Sequence, residues 1–209
     1  EDSGMAFVLI LHLDPSKESQ LASILRREAR VPVLDVEDGL AIEPNHIYVC
    51  VPDRDITIAD GAFHLDKQIR DQGPPHPVDV FLSSLGEHQA NLAAAVILSG
   101  TGSNGSHGIK TINHYGGIVL AQDPDTARFR GMPSATISSG LADFVLPPES
   151  MAEALNRYFD STTKMPPIDG DETNRGRVQL ANILDTIRRS AGYDFSGYKP
   201  KMLVRQIRR

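Results

Sequence analysis

The feature that most constrains the fold of this chain is a series of short apolar runs, each followed by a turn and then by a helical pattern. The run Ala93–Leu98 has the length of a buried strand, and it leads into the loop SGTGSNGSHG and a helical pattern over Ser106–Tyr115. Continuous apolar runs of this length are typical of parallel strands that are covered on both faces. Strand and helix patterns that alternate in this way predict an open parallel sheet flanked by helices.

The same alternation extends over most of the sequence. The predicted strands cover residues 6–13, 33–36, 46–51, 56–59, 62–65, 93–98, 117–121 and 143–147. The predicted helices cover residues 16–30, 78–90, 106–115, 133–139 and 148–158. Asp60-Gly61 between two of the strands predicts a tight β-hairpin. The fold class that follows is α/β, with a three-layer, doubly wound, mainly parallel sheet and one β-hairpin.

The charge of the chain is distributed unevenly. Residues 171–209 contain nine Lys or Arg and four Asp or Glu, which leaves twelve basic and 23 acidic residues in the remainder. The polar, Pro-containing stretch 160–174 predicts a linker, and the apolar spacing after it predicts a short all-α C-terminal segment. The acidic body argues against a nucleic-acid partner, and the lack of a long apolar run argues against membrane insertion. The single cysteine, Cys50, lies in a strand-like run, which favours a buried apolar role in a reducing, cytoplasmic compartment.

The glycine loop admits two interpretations. Gly100, Gly102 and Gly105 stand in the G-x-G-x-x-G spacing of a dinucleotide-binding turn. Asp123 follows at the end of the next strand, where a ribose-binding acid would stand. That fingerprint normally follows the first strand of its domain, whereas several strands and helices precede it here. Asn104 favours a different role for the loop, because a small amide at this point either caps a helix N-terminus or points across the strand ends toward a partner.

His12 is a candidate for that partner. It stands near the end of the predicted strand 6–13. Because the carboxyl ends of parallel strands meet at one edge of a sheet, His12 and Asn104 are expected to approach each other there. An imidazole and an amide in contact would form the base and the orienting group of a nucleophilic site. A histidine at a strand tip can also be satisfied by the backbone alone, so both alternatives stay open at this point.

Five segments together resemble the catalytic domain of the chemotaxis protein-glutamate methylesterase (CheB) family, in order, from residue 5 to about residue 159. They are LILHLDP, VEDGLAIEPNHIYVCVPDRDITI, HPVDVFLSSL, VILSGTGSNGSHGIKTINHYGGIVLAQDP and FRGMPSATISSGLADFVLPPE. The tail LANILDTIRRSAGYDFSGYKPKMLVRQIRR is similar to the start of the helical N-terminal domain of the chemotaxis receptor methyltransferase (CheR) family. The resemblance implies a methylesterase domain over 1–159 without its first strand, a linker over 160–174 and the start of a CheR-type domain over 175–209. The chain is therefore expected to be an internal fragment of a fused bacterial protein.

The resemblance also implies an activity and a set of site residues. The family hydrolyses glutamyl methyl esters on methylated chemoreceptors, or on a similar signalling protein, by a Ser-His-Asp mechanism without a metal or cofactor. His12 falls at the position of the family's histidine, and Asn104 falls where its aspartate is expected. Gly100, Thr101 and Gly102 belong to the same loop and are expected to line the substrate and oxyanion site.

The chain departs from the family pattern at the nucleophile. No Gly-Ala-Ser turn precedes His12, and Ser3 lies in the connection into the first strand rather than on such a turn. Three further serines share the loop with Asn104, and their hydroxyls are expected to bond the local backbone. They are Ser99, Ser103 and Ser106.

The second departure is Asn104 itself. An amide accepts a hydrogen bond from imidazole but does not balance the charge of an imidazolium ion. The expected function is therefore a methylesterase domain that is impaired in this chain, and the alternative is a non-catalytic scaffolding module of a chemotaxis-like pathway. Binding of NAD to the glycine loop is a third, weaker hypothesis. Binding of S-adenosylmethionine is not expected, because the residues for it would lie beyond Arg209.

Overall fold

The structure is a computed structural model, and it describes residues 3–11, 20–68 and 76–164, the last four of these as helical backbone, together with residues 186, 188 and 189. The chain divides into two compact units, 1–152 and 153–209, and the sheets described below belong to the first. The strands are β1 Phe7–Leu9, β2 Val33–Asp35, β3 Ile47–Val49, β4 Arg54–Ala59, β5 Ala62–Lys67, β6 Ala94–Ile97, β7 Ile118–Gln122 and β8 Phe144–Leu146. The helices are α1 Leu21–Glu28, α2 Pro77–Gln89, α3 Gly108–His114, α4 Gly131–Ser138 and α5 Pro148–Lys164.

The parallel strands form two groups of three. Strands β1, β3 and β2 lie side by side in that order, with Val8 opposite Tyr48. Strands β6, β7 and β8 form the second group, with Val96 opposite Leu120. The α/β fold with mostly parallel strands is confirmed. The described parallel strands form two sheets rather than one, because β1 and β6 do not pair with each other.

The hairpin predicted at Asp60-Gly61 is present. Strands β4 and β5 are antiparallel, with Ala59 opposite Ala62, and both are longer than the sequence pattern predicted. Asp60 and Gly61 have φ angles of 50° and 76°, as a two-residue turn with both central residues in the left-handed region requires.

One apolar core joins the two parallel groups. Tyr48 of β3 and Phe63 of β5 are both fully buried, and their ring centroids lie 4.9 Å apart. The hydroxyl of Tyr48 accepts the Glu43 N–H at 2.8 Å and donates to the Ala41 carbonyl at 3.2 Å, so its polar end is satisfied. The core also contains buried residues of β6, Ala95 and Ile97, and two partly buried residues in and just after β1, Val8 and Ile10.

Helix boundaries differ from the sequence expectation at α1 and at α5. Among the described residues of the predicted helix 16–30, only Leu21–Glu28 is helical. Helix α5 is instead longer than predicted. This helix continues to Lys164, so the first five residues of the predicted linker 160–174 are helical. Residues Asp160–Lys164 contain neither Gly nor Pro, and the first strong helix breaker is Pro166-Pro167. None of the described helices has both the length and the apolar character that crossing a membrane requires.

Ala90 is a position where glycine should stabilise the fold. It ends α2 with φ 48° and ψ −122°, a backbone conformation that favours glycine, and its carbonyl accepts the Ala93 N–H at 3.1 Å in the turn into β6. Ala90→Gly is therefore expected to raise the free energy of unfolding by about 1 kcal/mol, measured by urea denaturation. Ala94→Gly, inside β6, is the matched control and should lower it. An Ala90→Gly variant no more stable than the parent would contradict the strain argument.

Asp55 of β4 should make stability depend on pH. Its Oδ1 is buried and has no hydrogen-bond partner among the described residues, and Asp66 lies directly opposite on β5. Burial raises the pKa of the Asp55 carboxyl, a hydrogen bond from Gln68 lowers it, and the Asp66 charge raises it again. Since the folded-state pKa lies above the unfolded one, ionised Asp55 destabilises the fold at neutral pH, and this effect fades as pH falls through the folded pKa.

Asp55→Asn is therefore expected to raise the thermal midpoint at neutral pH, and the gain should shrink as the pH is lowered toward the unfolded pKa. Thermal denaturation of both proteins across that pH range checks this. Thr57→Ser, in the same strand β4, removes no titratable group and is the control, and its difference from the parent should not change with pH. A gain that grows on acidification would contradict the assignment.

Candidate functional site

The glycine loop follows β6 at the carboxyl end of the strand and is tied to the segment before α4. The Gly100 N–H donates to the Phe129 carbonyl at 3.0 Å, and the Gly100 carbonyl accepts the Met132 N–H at 2.9 Å. Gly102 and Gly105 have φ angles of 77° and 98°, which favour glycine. The loop is thus fixed by a second loop and by its own glycine conformations.

The two loops approach too closely for side chains at their contact. A Cβ atom on Gly131 would lie 2.8 Å from the Gly102 nitrogen and 3.0 Å from the Gly100 oxygen. A Cβ atom on Gly100 would lie 2.3 Å from the Met132 sulfur. Thr101, between the two glycines of the loop, is exposed. The glycines at this contact therefore allow backbone-to-backbone packing, and Thr101 faces solvent.

Gly131→Ala is expected to separate the two loops. The added methyl would meet backbone atoms of Gly100 and Gly102, which cannot move aside by a rotamer change. We expect a loss of about 1–2 kcal/mol in the free energy of unfolding and faster hydrogen exchange at the Met132 amide. Ser134→Ala, on the same helix α4, is the control. Unchanged exchange at Met132 in the Gly131→Ala protein would contradict this description of the contact.

Asn104 caps a helix, but not the one that follows it. Its side chain is buried, and its Oδ1 accepts the N–H of Asp79 at 3.3 Å. Asp79 is the third residue of α2, whose own N-cap residue, His76, makes no capping bond with its side chain. Asn104 therefore supplies from the glycine loop the acceptor that the first turn of α2 lacks.

The side chain of Asp79 in turn caps α3, the helix that follows the glycine loop. Its Oδ1 accepts the N–H groups of His107 and Gly108, each at 2.8 Å, at the start of α3. Thus Asn104 of the glycine loop caps α2, and Asp79 of α2 caps α3. Asp79 was not among the predicted site residues. The sequence shows an acid in the first turn of a predicted helix, but its bonds to residues 107 and 108 depend on long-range packing.

This arrangement argues against a dinucleotide at the glycine loop. In such sites the pyrophosphate accepts N–H groups at the helix N-terminus. Here the carboxylate of Asp79 already accepts two of them, and its charge would repel a phosphate. Within the described ranges, no three His, Cys, Asp or Glu side chains are grouped so that they could hold a metal ion.

Ser99 takes part in fixing the loops. Its N–H donates to Gln122 Oε1 at 2.8 Å, and its hydroxyl accepts the Phe129 N–H at 2.9 Å. Gln122, buried at the end of β7, also donates through Nε2 to the carbonyl and hydroxyl oxygens of Thr126, both at 3.2 Å. The expectation that the Ser99 hydroxyl bonds local backbone is wrong, because its partner lies 30 residues away along the chain.

The chain leading into His12 is fixed beside β3. The Leu11 N–H donates to the Cys50 sulfur at 3.2 Å, and the Cys50 thiol donates to the Leu11 carbonyl at 3.7 Å. Burial raises the pKa of the Cys50 thiol, and its backbone bonds lower it less, so the buried, apolar role predicted for this residue is confirmed. His12 itself lies outside the described residues, so its expected contact with Asn104 stays a prediction.

Sequence comparison places these residues in a known family. Residues 1–155 match the family model described as CheB methylesterase. The chain is 32% identical over 152 residues to a protein-glutamate methylesterase/protein-glutamine glutaminase of Thermotoga maritima, covering 71% of this chain and 44% of that protein. A Pseudomonas aeruginosa protein of the same description, number 2, is 33% identical over 152 residues with the same coverage. The chain thus spans less than half the length of these relatives.

A longer alignment and a solved structure complete the comparison. A 104.1 kDa protein of Rhodobacter capsulatus, encoded in the 3′ region of hypE, is 29% identical over 211 aligned residues, covering 90% of this chain and 22% of that protein. The crystal structure of the Thermotoga maritima CheB methylesterase catalytic domain matches with a TM-score of 0.65 and 32% identity, over 71% of this chain and 81% of that one. Because the family model covers well over half of the sequence, the chain belongs to the CheB methylesterase family.

Proposed function

We propose that this chain carries most of a protein-glutamate methylesterase domain, which hydrolyses glutamyl methyl esters on a chemoreceptor to the carboxylate and methanol. The observation that carries the proposal is the family match over residues 1–155, which includes the glycine loop at the carboxyl end of β6. Chemistry in parallel α/β sheets is concentrated at that edge. The partner is a methylated chemoreceptor or a similar cytoplasmic signalling protein.

In the proposed mechanism, His12 is the general base and Asn104 orients it. The imidazole removes the proton of a serine hydroxyl as the oxygen attacks the ester carbonyl, and it then returns a proton to the departing methoxide. In the second half of the reaction it removes a proton from the water that attacks the acyl-serine, and it returns a proton to the serine oxygen as the glutamate carboxylate leaves. Within the loop Gly100–Gly102, the backbone N–H groups of Thr101 and Gly102 stabilise the tetrahedral oxyanion, because the Gly100 N–H already donates to the Phe129 carbonyl. With Asn104 in place of an acid, the imidazolium is not balanced; the same exchange in a serine protease lowers kcat by about 10⁴.

We place the serine nucleophile on a further parallel strand outside this sequence, between β1 and β6. Among the described strands β1 pairs with β3 alone and β6 with β7 alone. Apolar side chains on or next to these two strands are exposed: Phe7 37%, Leu11 41%, Val96 36% and Leu98 47%. A strand in this position would end between the glycine loop and Leu11, the residue that precedes His12. That is where a nucleophile shared by both would have to stand.

The test is active-site labelling with a fluorophosphonate probe, together with hydrolysis of a glutamyl methyl ester peptide. The chain alone is expected to take up no label, and the intact parent protein to be labelled on a serine upstream of this sequence. His12→Gln in the parent should abolish labelling, and Asn104→Asp should increase hydrolysis. Ser99→Ala is the control, since its hydroxyl bonds the backbone, and labelling should survive it. A parent protein without label or hydrolysis would refute the enzyme assignment.

One observation favours a second candidate, a non-catalytic scaffolding module. The Asn104 Oδ1 already accepts the Asp79 N–H as a helix cap, which gives this residue a structural reason to be present without catalysis. The same labelling experiment discriminates between the two: no label on the parent and no gain from Asn104→Asp would favour the scaffold. An NAD titration by calorimetry, in which we expect no heat, checks the dinucleotide hypothesis.

We also propose the division into domains: methylesterase over 1–159, a linker within 160–174 that begins after α5 ends at Lys164, and the start of a CheR-type helical domain over 175–209. The alignment with the much longer Rhodobacter capsulatus protein supports a further segment after the methylesterase domain, because it covers 90% of this chain and so extends past the methylesterase match. Residues 165–185 and 190–209 lie outside the described residues. Limited proteolysis should cut first between residues 165 and 174; a first cut inside 76–152 would contradict the division.

A further inference from the structure

The segment Asp123–Arg130, which we call the arginine loop, is held firmly by its backbone. Gln122 Nε2 bonds Thr126, the Thr126 N–H donates to the Asp123 carbonyl at 2.9 Å, and the Phe129 N–H donates to Ser99 at 2.9 Å. The Phe129 carbonyl accepts the Gly100 N–H from the glycine loop. The backbone around Phe129 is therefore fixed at the edge of the proposed oxyanion site.

The side chains at the end of this loop face solvent. Phe129 is 49% exposed, and the Arg128 guanidinium lies over its ring at 5.4 Å from the centroid. Arg130 is exposed and pairs with the exposed Asp125 at 3.3 Å. Leu98, at the end of β6, is also largely exposed. An aromatic ring and two arginines have the composition of a binding hot spot, and because their backbone is already fixed, little backbone entropy is lost on contact.

The charge of these residues contrasts with the body of the protein. Outside residues 171–209 the chain has twelve basic and 23 acidic side chains. The arginine loop also contains Asp123 and Asp125, and Asp125 pairs with Arg130, so the guanidinium group of Arg128 is the positive charge most open to an acidic polypeptide. Guanidinium groups also bind carboxylates in a bidentate manner. The occupant that this patch fits is therefore an acidic polypeptide segment with apolar side chains for Phe129 and Leu98.

We propose that Arg128, Phe129 and Arg130 form a docking site that selects substrates with glutamates flanking the methyl ester. This inference rests on the proposed methylesterase function and names the substrate feature that the same site recognises. The ring contacts the apolar side of the incoming segment, Arg128 pairs with one of its free carboxylates, and Arg130 pairs with another by exchanging its exposed partner Asp125 for it. The ester is thereby brought to the glycine loop, to which Phe129 is bonded.

The experiment is fluorescence anisotropy with this chain and a labelled helical peptide of Glu, Ala and Leu that carries one glutamyl methyl ester. We expect this peptide to bind more tightly than its Gln-for-Glu counterpart, and the preference to weaken as salt is added. Phe129→Ala should weaken binding about tenfold. The double variant Arg128→Gln/Arg130→Gln should weaken it about fivefold and remove the preference for Glu over Gln.

The double variant Arg27→Gln/Lys67→Gln, which removes two exposed positive charges on α1 and β5, is the charge-matched control and should bind like the parent. Equal affinity for both peptides, or equal loss in this control and in the double arginine variant, would overturn the proposal. If Phe129→Ala does not fold, the double arginine variant tests the proposal by itself, because Arg128 and Arg130 are both exposed and their replacement should not affect folding. If this chain binds the peptide but the parent is neither labelled nor hydrolytic, the methylesterase function is refuted and the docking site still stands. Label and hydrolysis in the parent, with no binding change in these variants, would refute only the docking site.

Discussion

Replacing Gly108 with alanine is expected to lower the free energy of unfolding by about 3 kcal/mol. A Cβ atom on Gly108 would lie 2.5 Å from the Leu82 Cβ and 3.0 Å from the Asp79 carbonyl oxygen. Both are atoms that a rotamer change cannot move, so α2 and α3 would have to separate. Gly86 makes the reciprocal approach, since a Cβ there would lie 2.9 Å from the Ile112 nitrogen. Urea denaturation followed by circular dichroism measures the loss.

The control for this prediction is a glycine whose backbone conformation, rather than its neighbours, excludes alanine. Gly140 has φ 70° and no atom within 4 Å of an added Cβ. Gly140→Ala is therefore expected to cost only about 1 kcal/mol, from backbone strain alone. If Gly108→Ala costs no more than Gly140→Ala, the close approach of the two helices is not the reason for glycine at position 108.

Local sequence patterns were sufficient for the order of the elements. The hairpin at Asp60-Gly61 and the strand–loop–helix unit around residues 93–115 were predicted because hydrophobic period and turn chemistry are properties of neighbouring residues. The continuation of α5 through Lys164 was not predicted, because the polar composition of residues 160–174 is also typical of a linker. A polar segment without Gly or Pro can continue a helix.

Features that depend on long-range packing could not be predicted in this way. Nothing in the spacing of the glycine loop indicates that Asn104 caps α2, because its partner Asp79 is 25 residues away. The bond between Ser99 and Phe129 spans 30 residues, and it changes the role expected for that hydroxyl. The spacing marked the loop as a candidate site, but it did not distinguish a phosphate site from a loop whose helix N-terminus is already occupied by a carboxylate.

Removing the Asp79 carboxylate should have the second large effect. Asp79→Ala leaves the N–H groups of His107 and Gly108 without their acceptor in the first turn of α3. The side chain of Asp79 is only 16% exposed, so water replaces it poorly. We expect a loss of about 2 kcal/mol in the free energy of unfolding, and Asp79→Asn should recover part of it because the amide oxygen still accepts. Asp38→Ala, which removes one exposed acceptor from Leu65, should cost less.

Hydrogen exchange separates this cap from the one that Asn104 provides. Asp79→Ala keeps its own backbone N–H, so the bond to Asn104 Oδ1 can persist while the His107 and Gly108 amides lose protection. Asn104→Ala should do the reverse and expose the Asp79 amide. If both substitutions release all three amides together, the two caps act as one cooperative unit. In that case a change at position 104 alters the glycine loop and α2 together, and loss of catalysis in an Asn104 variant would not by itself identify a catalytic role.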